Sequence, residues 1–259
     1  MARTKTKIER SINTKALGFQ IRESYKTART NIAYSILKKG CKKIAFTSSS
    51  KGEGKTVTSM NVASALAQHL DTKVLVIECD LRRPQVHTAL KLTPTPGLTN
   101  YLNEECTVDD IIKDTKVENL KAVCYGAVPP NPSELLASDA MKDFVKRVEK
   151  EYDYFIFDTP PIGIVIDAVP IIQSSDGVVV VVKNNSTTYP DLNKTFDSIK
   201  RSGGKTLGVI INKIKPTGNK KYHKGYSKDG GYYGYYGYLF IICNGSILWK
   251  KILKNLTII

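Results

Sequence analysis

Apolar and polar positions change their period several times along the chain, and each change marks an element. Ile32, Ala33, Ile36 and Leu37 recur at helical spacing within 21–39, and Gly40 closes that stretch. "KKIAFTSS" then reads as a short buried strand that runs into a glycine-bearing loop, and "TVTSMNVASALAQHL" (56–70) as a helix with small residues on one face. Further strands are predicted at "KVLVIECD" (73–80), "LKAVCYG", "YFIFDTPP" (154–161), "GVVVVVK" (177–183) and "TLGVIINKI" (206–214). The valine run is apolar on both faces, as a central parallel strand requires. Helices are predicted at 139–152 and at 190–203, the latter closed by glycine. Shorter helical pieces fall at 97–102 and 108–113, and "PPNPSELL" opens another, with Ser133 at its cap or first turn. Strands alternating with helices specify an α/β fold, a doubly wound, mostly parallel sheet with helices on both faces. Its ligands bind at the carboxyl ends of the strands.

Four regions follow: a basic arm (1–20), the α/β domain (21–214), a tyrosine-rich tail (215–238) and an atypical apolar and basic extension (239–259). Composition is ordinary for a globular chain, but the formal net charge of +15 is not. Much of that charge lies at the ends. Residues 213–259 hold nine lysines against the single acid Asp229, and Arg3, Lys5, Lys7 and Arg10 stand against Glu9. Such ends attract anionic surfaces, or are simply solvated. "MARTKTKIER" has no apolar core, so no signal peptide is expected. The most apolar stretch, 238–249, is too short to span a bilayer. Five cysteines without C-x-x-C spacing, and three scattered histidines, exclude a zinc site and read as buried free thiols.

The candidate chemistry lies in "SSSKGEGKT" (48–56). Gly52 and Gly54 let the backbone curl so that consecutive N–H groups point inward, and the following helix start completes an anion cradle. Lys55 supplies a point charge for β- and γ-phosphates, and Thr56 a hydroxyl for Mg²⁺. Residues Ser50, Lys51, Gly52, Glu53, Gly54, Lys55, Thr56 and Val57 form the nucleotide-binding stretch of a P-loop. The glycine usual six residues before the lysine is here Ser49. Asp158 ends one strand and is placed to hold the metal's water shell, while Glu78 and Asp80 end another. An acid there can take a proton from an attacking hydroxyl. Arg82 and Arg83 either stabilise transferring phosphate or anchor their loop.

These residues carry a resemblance to the bacterial tyrosine kinases, deviant P-loop ATPases related to the ParA/MinD group. "SSSKGEGKT" resembles their Walker A, "VLVIECDLRRP" their Walker A′, "FIFDTPP" their Walker B and "ESYKTARTNI" their Glu-x-x-Arg-x-x-Arg assembly motif. "PPNPSELLAS" and the tyrosine-rich end agree, and the match runs from about residue 21 to 238. The resemblance implies an ATP- and Mg²⁺-dependent protein-tyrosine kinase. Lys55, Asp80, Asp158, Glu78 and Arg82 form its candidate catalytic set; Thr56, Asp80 and Asp158 hold the metal. Asn212 is assigned to adenine from the related ATPases, and Glu23, Lys26 and Arg29 fall on the ring-forming motif. Autophosphorylation falls on Tyr222, Tyr226, Tyr232, Tyr233, Tyr235, Tyr236 and Tyr238. Further implications are control of capsular or extracellular polysaccharide synthesis and export, a homo-oligomeric ring, a separate membrane adaptor and a cognate tyrosine phosphatase. A cytoplasmic location at the inner face of the plasma membrane follows, with possible peripheral membrane contact and no nucleic acid.

The chain departs from the family in places. Glu78 stands for the first A′ aspartate, and Lys26 for an arginine, which forgoes a planar fork. Lys51 stands where proline is common. The extension past the tyrosines reads either as a membrane-surface segment or, preferred, as a read-through without a selected role. "GYSKDGGYYGYYGY" has no aliphatic partner for a core; it can present one phenol after another, and added phosphates would oppose ring assembly. Two alternatives remain. A ParA/MinD-like ATPase switch lacks its signature lysine, since Ser50 occupies that position. The other is a non-catalytic, nucleotide-bound scaffold.

Overall fold

Lys42–Ser48 and Gly177–Lys183 pair in parallel at the centre of a sheet; the first is buried from Ile44 to Ser48, and the second offers a run of five valines that only burial on both faces accommodates. The computed structural model describes residues 18–214 and 237–242. In chain order its elements are α1 (Phe19–Ser35), β1 (Lys42–Ser48), α2 (Lys55–Ala67), β2 (Val74–Glu78), α3 (Val86–Leu90), α4 (Leu98–Leu102), α5 (Val108–Ile111), β3 (Ile112–Asp114) and β4 (Leu120–Val123). There follow α6 (Pro132–Ala137), α7 (Asp139–Val148), β5 (Tyr154–Asp158), a 3-10 turn (Ile166–Ala168), α8 (Val169–Gln173), β6 (Gly177–Lys183), α9 (Tyr189–Arg201), β7 (Thr206–Ile214) and β8 (Gly237–Ile242). The sheet order is β3-β4-β2-β5-β1-β6-β7-β8. The six inner strands run parallel, and β3 and β8 pair antiparallel at the two edges.

Alternate residues of each strand enter opposite cores. Val76, Ile156, Ile44, Val179 and Val181 pack against Tyr25, Ala28, Ile32, Met60 and Leu66 of α1 and α2. Leu75, Ile77, Phe155, Phe157, Val178 and Val180 pack against Leu98, Met141, Phe144, Ile172, Leu192 and Ile199 on the other face. Helices on both faces of a mostly parallel sheet are thus the observed architecture.

Several boundaries differ from the sequence pattern. The first helix stops at Ser35, not Lys39, because Ile36 turns extended while keeping its side chain buried, and Gly40 (φ +76°) serves the turn before β1. The helical piece expected over 108–113 ends at Ile111. Residues 112–114 instead pair with β4, whose outer edge would otherwise leave its backbone groups unpaired. The pattern gives no sign of the short turn and helix over 166–173. Asn131 takes the cap of α6 and leaves Ser133 in its first turn, while Ser138 caps α7 by accepting from the Met141 amide at 3.2 Å.

Strand β8 straddles the expected boundary between tail and extension and covers the free edge of β7 from Gly208↔Ile242 to Ile214↔Gly237. The backbone of Tyr238 therefore lies in the sheet, whereas Tyr222, Tyr226, Tyr232, Tyr233, Tyr235 and Tyr236 lie outside the described residues, as do the arm before 18 and the extension after 242. Among the described residues no helix is long and apolar enough to cross a membrane. Cys41, Cys79 and Cys124 are buried free thiols, but Cys106 is half-exposed, and Cys243 lies outside the described residues.

Candidate active site

The chain leaves β1 at Ser48, curls through 49–54 and enters α2 at Lys55, so the loop lies at the carboxyl end of the sheet. Gly52 and Gly54 both adopt positive φ, +76° and +89°. A Cβ on Gly54 would lie 1.9 Å from Asn212 Nδ2, whereas one on Gly52 would meet nothing within 4 Å. Gly54→Ala is expected to reduce any phosphoryl-transfer rate ~10²-fold by displacing the loop. Gly52→Ala costs only left-handed strain, about 1 kcal/mol. Side-by-side rates and unfolding curves for the two variants check the contrast.

Neighbouring strands deliver the acids. β5 lies between β1 and β2, with Asp158 in register with Phe46 on one side and Glu78 on the other. The fully buried Asp158 accepts from Lys55 Nζ at 2.8 Å, Thr56 Oγ1 at 2.7 Å and Ser59 Oγ at 3.1 Å. Asp80 lies 3.6 Å from the same Nζ and accepts from the Arg83 amide at 3.1 Å. Burial pushes the Asp80 carboxyl above its usual range, against the pull of Lys55. Lys55, Thr56, Asp80 and Asp158 thus converge, as their sequence positions imply. One ammonium, a hydroxyl and two carboxylates beside a curled backbone suit a polyphosphate with a hard divalent ion, whose preference is for oxygen ligands.

Other expected site residues take different places. Glu78, expected in the catalytic set, is held by three backbone amides. Its Oε1 accepts from the Gln85 and Val86 amides, and its Oε2 from the Tyr125 amide at 3.1 Å. The extra methylene lets it bridge the end of β2, the start of α3 and the end of β4. Burial lifts its pKa to about 7. Arg82 is fixed in a two-pronged pair on the buried Asp167, Nε at 2.5 Å and NH2 at 3.2 Å, so it ties the loop after β2 to the segment after β5. Asn212, expected at adenine, is buried within β7 and donates to the Glu53 carbonyl at 2.8 Å, a latch beneath the loop. Glu53 faces inward as well: its carboxylate accepts from the Ser50 amide at 2.8 Å and from the Thr187 hydroxyl. Lys51 is exposed, and Val57 is half-buried on α2.

Glu23 and Lys26 pair on the surface of α1 at 2.7 Å, and Arg29 donates to the Ala65 carbonyl at 3.3 Å. Ala65 is ten residues into α2 from Lys55, about 15 Å along that helix. The expected assembly motif is therefore separate from the phosphate loop of its own chain.

Sequence reasoning missed Ser59, Thr187, Thr195 and Asp167. Ser59 follows Thr56 by three residues and so shares its helix face, a signal the sequence does carry. Thr195 reaches the Ser49 hydroxyl at 2.8 Å from α9, a contact without any local signature.

A family model described as an AAA domain matches residues 41–207. The chain is similar to the tyrosine-protein kinase YwqD of Bacillus subtilis (strain 168), 37% identical over 212 residues that cover 82% of this chain and 86% of that protein. The kinase domain of the Escherichia coli tyrosine kinase ETK aligns with a TM-score of 0.73 at 28% identity, over 79% of this chain and 80% of that one. The chimerical protein CapA2B2 aligns with a TM-score of 0.69 at 32% identity, over 73% and 83%.

Proposed function

Because the chain belongs to the bacterial tyrosine kinase family, we propose that it transfers the γ-phosphoryl group of ATP to tyrosine hydroxyls, those of its own 222–238 cluster among them. The observation that carries this reading is the meeting of Lys55, Thr56, Asp80 and Asp158 at the ends of adjacent strands. Mg²⁺, when bound, would neutralise charge on the β- and γ-phosphates, with Thr56, Asp80 and Asp158 to hold it. Lys55 exchanges its carboxylate partners for phosphate oxygens. Asp80, at the mouth of the site beside Lys55, accepts the phenol proton; a phenol of pKa ~10 needs such help at neutral pH. Glu53, Asn212 and Thr187 keep the loop curled, and Arg82 holds the acidic loop in place through Asp167.

The wider reading follows the family likeness. The kinase acts on capsular or extracellular polysaccharide synthesis and export, and assembles as a ring through Glu23, Lys26 and Arg29. It is held at the inner face of the membrane by a separate adaptor and reset by a tyrosine phosphatase. Phosphates on the tail, at about two negative charges each, oppose the ring. Incubation with labelled ATP, with and without an adaptor peptide, followed by phosphotyrosine mapping, tests the assignment. Label on 222–238 is the expected result. Free phosphate without labelled protein points to an ATPase switch, and neither product points to a scaffold.

A further inference from the structure

Tyr34 is the one exposed tyrosine among residues 21–213, with 76% of its surface open. Tyr25 and Tyr154 are buried, and Tyr101, Tyr125, Tyr152 and Tyr189 are half-buried. It is the penultimate residue of α1, just before the chain turns extended at Ile36 and exposes Leu37. A helix end is where backbone bonds open at least cost, so this phenol can be presented to a catalytic site by unwinding a single turn. Beside it lies a groove of about 160 Å³ lined by Arg29, Thr30, His69 and Thr72, with no carboxylate among its lining residues.

We propose that Tyr34 is a phosphoacceptor of this kinase, modified by a second copy of the chain; the proposal rests on the kinase reading above. The geometry requires a second copy. The groove also includes Thr72, just before β2, and Tyr154, the first residue of β5, so it lies at the amino ends of the strands. The phosphate loop lies at their carboxyl ends, and the seven residues of β1 separate the two levels by about 23 Å. In the transfer, Tyr34 Oη of one chain forms a bond to the γ-phosphorus of ATP bound by the other. The bond from that phosphorus to the β,γ-bridging oxygen breaks, ADP leaves, and the phenol proton passes to a carboxylate of the acting chain.

The product places about two negative charges in a groove whose cationic and hydroxyl groups can bind them. Arg29, which now donates to a single carbonyl of α2, gains a doubly accepting partner. Because Arg29 lies on the expected assembly motif, Tyr34 phosphorylation draws it away and shifts the protein toward smaller assemblies.

The test mixes wild-type protein with an isotopically heavy Lys55→Met chain and MgATP, and maps phosphopeptides by mass spectrometry. Asp80→Asn serves as a second inactive acceptor if Lys55→Met does not fold. The expected result is phosphate on Tyr34 of the heavy chain at a rate that rises with wild-type concentration. Tyr34→Phe should remove that phosphopeptide, leave tail labelling unchanged, and keep the assembly measured by light scattering larger than that of the modified protein. Tail labelling with Tyr34 unmodified overturns the proposal and leaves the kinase reading intact. Label on Tyr34 of the light chain alone, independent of concentration, overturns transfer between copies. No label on any tyrosine overturns the kinase reading, and this proposal with it.

Discussion

Lys55→Met is expected to weaken nucleotide binding and to lower tyrosine labelling at least ~10²-fold, the usual scale for removing one preorganised charge from a transferring group. The lysine is nearly buried, with its ammonium between Asp158 at 2.8 Å and Asp80 at 3.6 Å. Methionine follows the lysine stem to Cε but leaves two carboxylates facing each other without a cation. Loss of a buried ionic partner typically costs about 3 kcal/mol or more. Here the Thr56 and Ser59 hydroxyls still donate to Asp158 and offset part of that. The variant should therefore remain folded with a lowered midpoint in thermal unfolding. Nucleotide titration and phosphotyrosine blotting of the same preparation provide the check. Unchanged affinity with unchanged labelling would remove the proposed phosphate seat.

Glu78→Ala is expected to be the most destabilising single change near the site. It strands the amides of Gln85, Val86 and Tyr125, and a buried unsatisfied donor costs about 1–3 kcal/mol. A loss on the order of 5 kcal/mol would consume much of the 5–15 kcal/mol typical of a domain. Glu78→Asp, which restores the residue usual in the family, is one methylene short of the same bridge and should cost less than alanine but more than glutamine. Glutamine keeps one acceptor oxygen for two of the three amides. The carboxyl titrates at about 7 in the folded state against 4.5 for the free side chain. The folded protein therefore binds more protons than the unfolded chain between these values. Stability contributed by Glu78 is greatest below about pH 4.5, declines as pH rises to about 7 and is flat above. The full decline is roughly 3 kcal/mol. Urea unfolding of the wild type and Glu78→Gln across pH 5–8 should show the difference narrow in that direction. A difference that grows with pH would contradict the burial argument.

Glu78 and Asp80 also show where local reading ends. Glu78 ends β2 and Asp80 follows it by two residues, and nothing local separates their tasks. The difference lies in what reaches them: Lys55 comes to Asp80, and the first amides of α3 come to Glu78. Arg82 is similar, since its own neighbours leave either expected role open, and its partner Asp167 lies eighty-five residues away in the chain. Asn212 lies under the phosphate loop because β7 is brought alongside β6, next to β1. The edge strands at 112–114 and 237–242 are further cases. A short apolar or mixed segment becomes a strand when an adjacent edge has unpaired backbone groups, and its own residues do not announce it.

The order and type of the inner elements, the phosphate loop and the Lys55, Thr56, Asp80 and Asp158 set could be read from the chain alone. Each rests on short-range physics: side-chain period, glycine freedom, and acids that follow buried strands. The partners of Glu78, Arg82, Glu53 and Asn212 could not. They depend on contacts between segments distant in the chain, and hydrogen-bond geometry at angstrom scale appears only once the sheet order has placed those segments side by side.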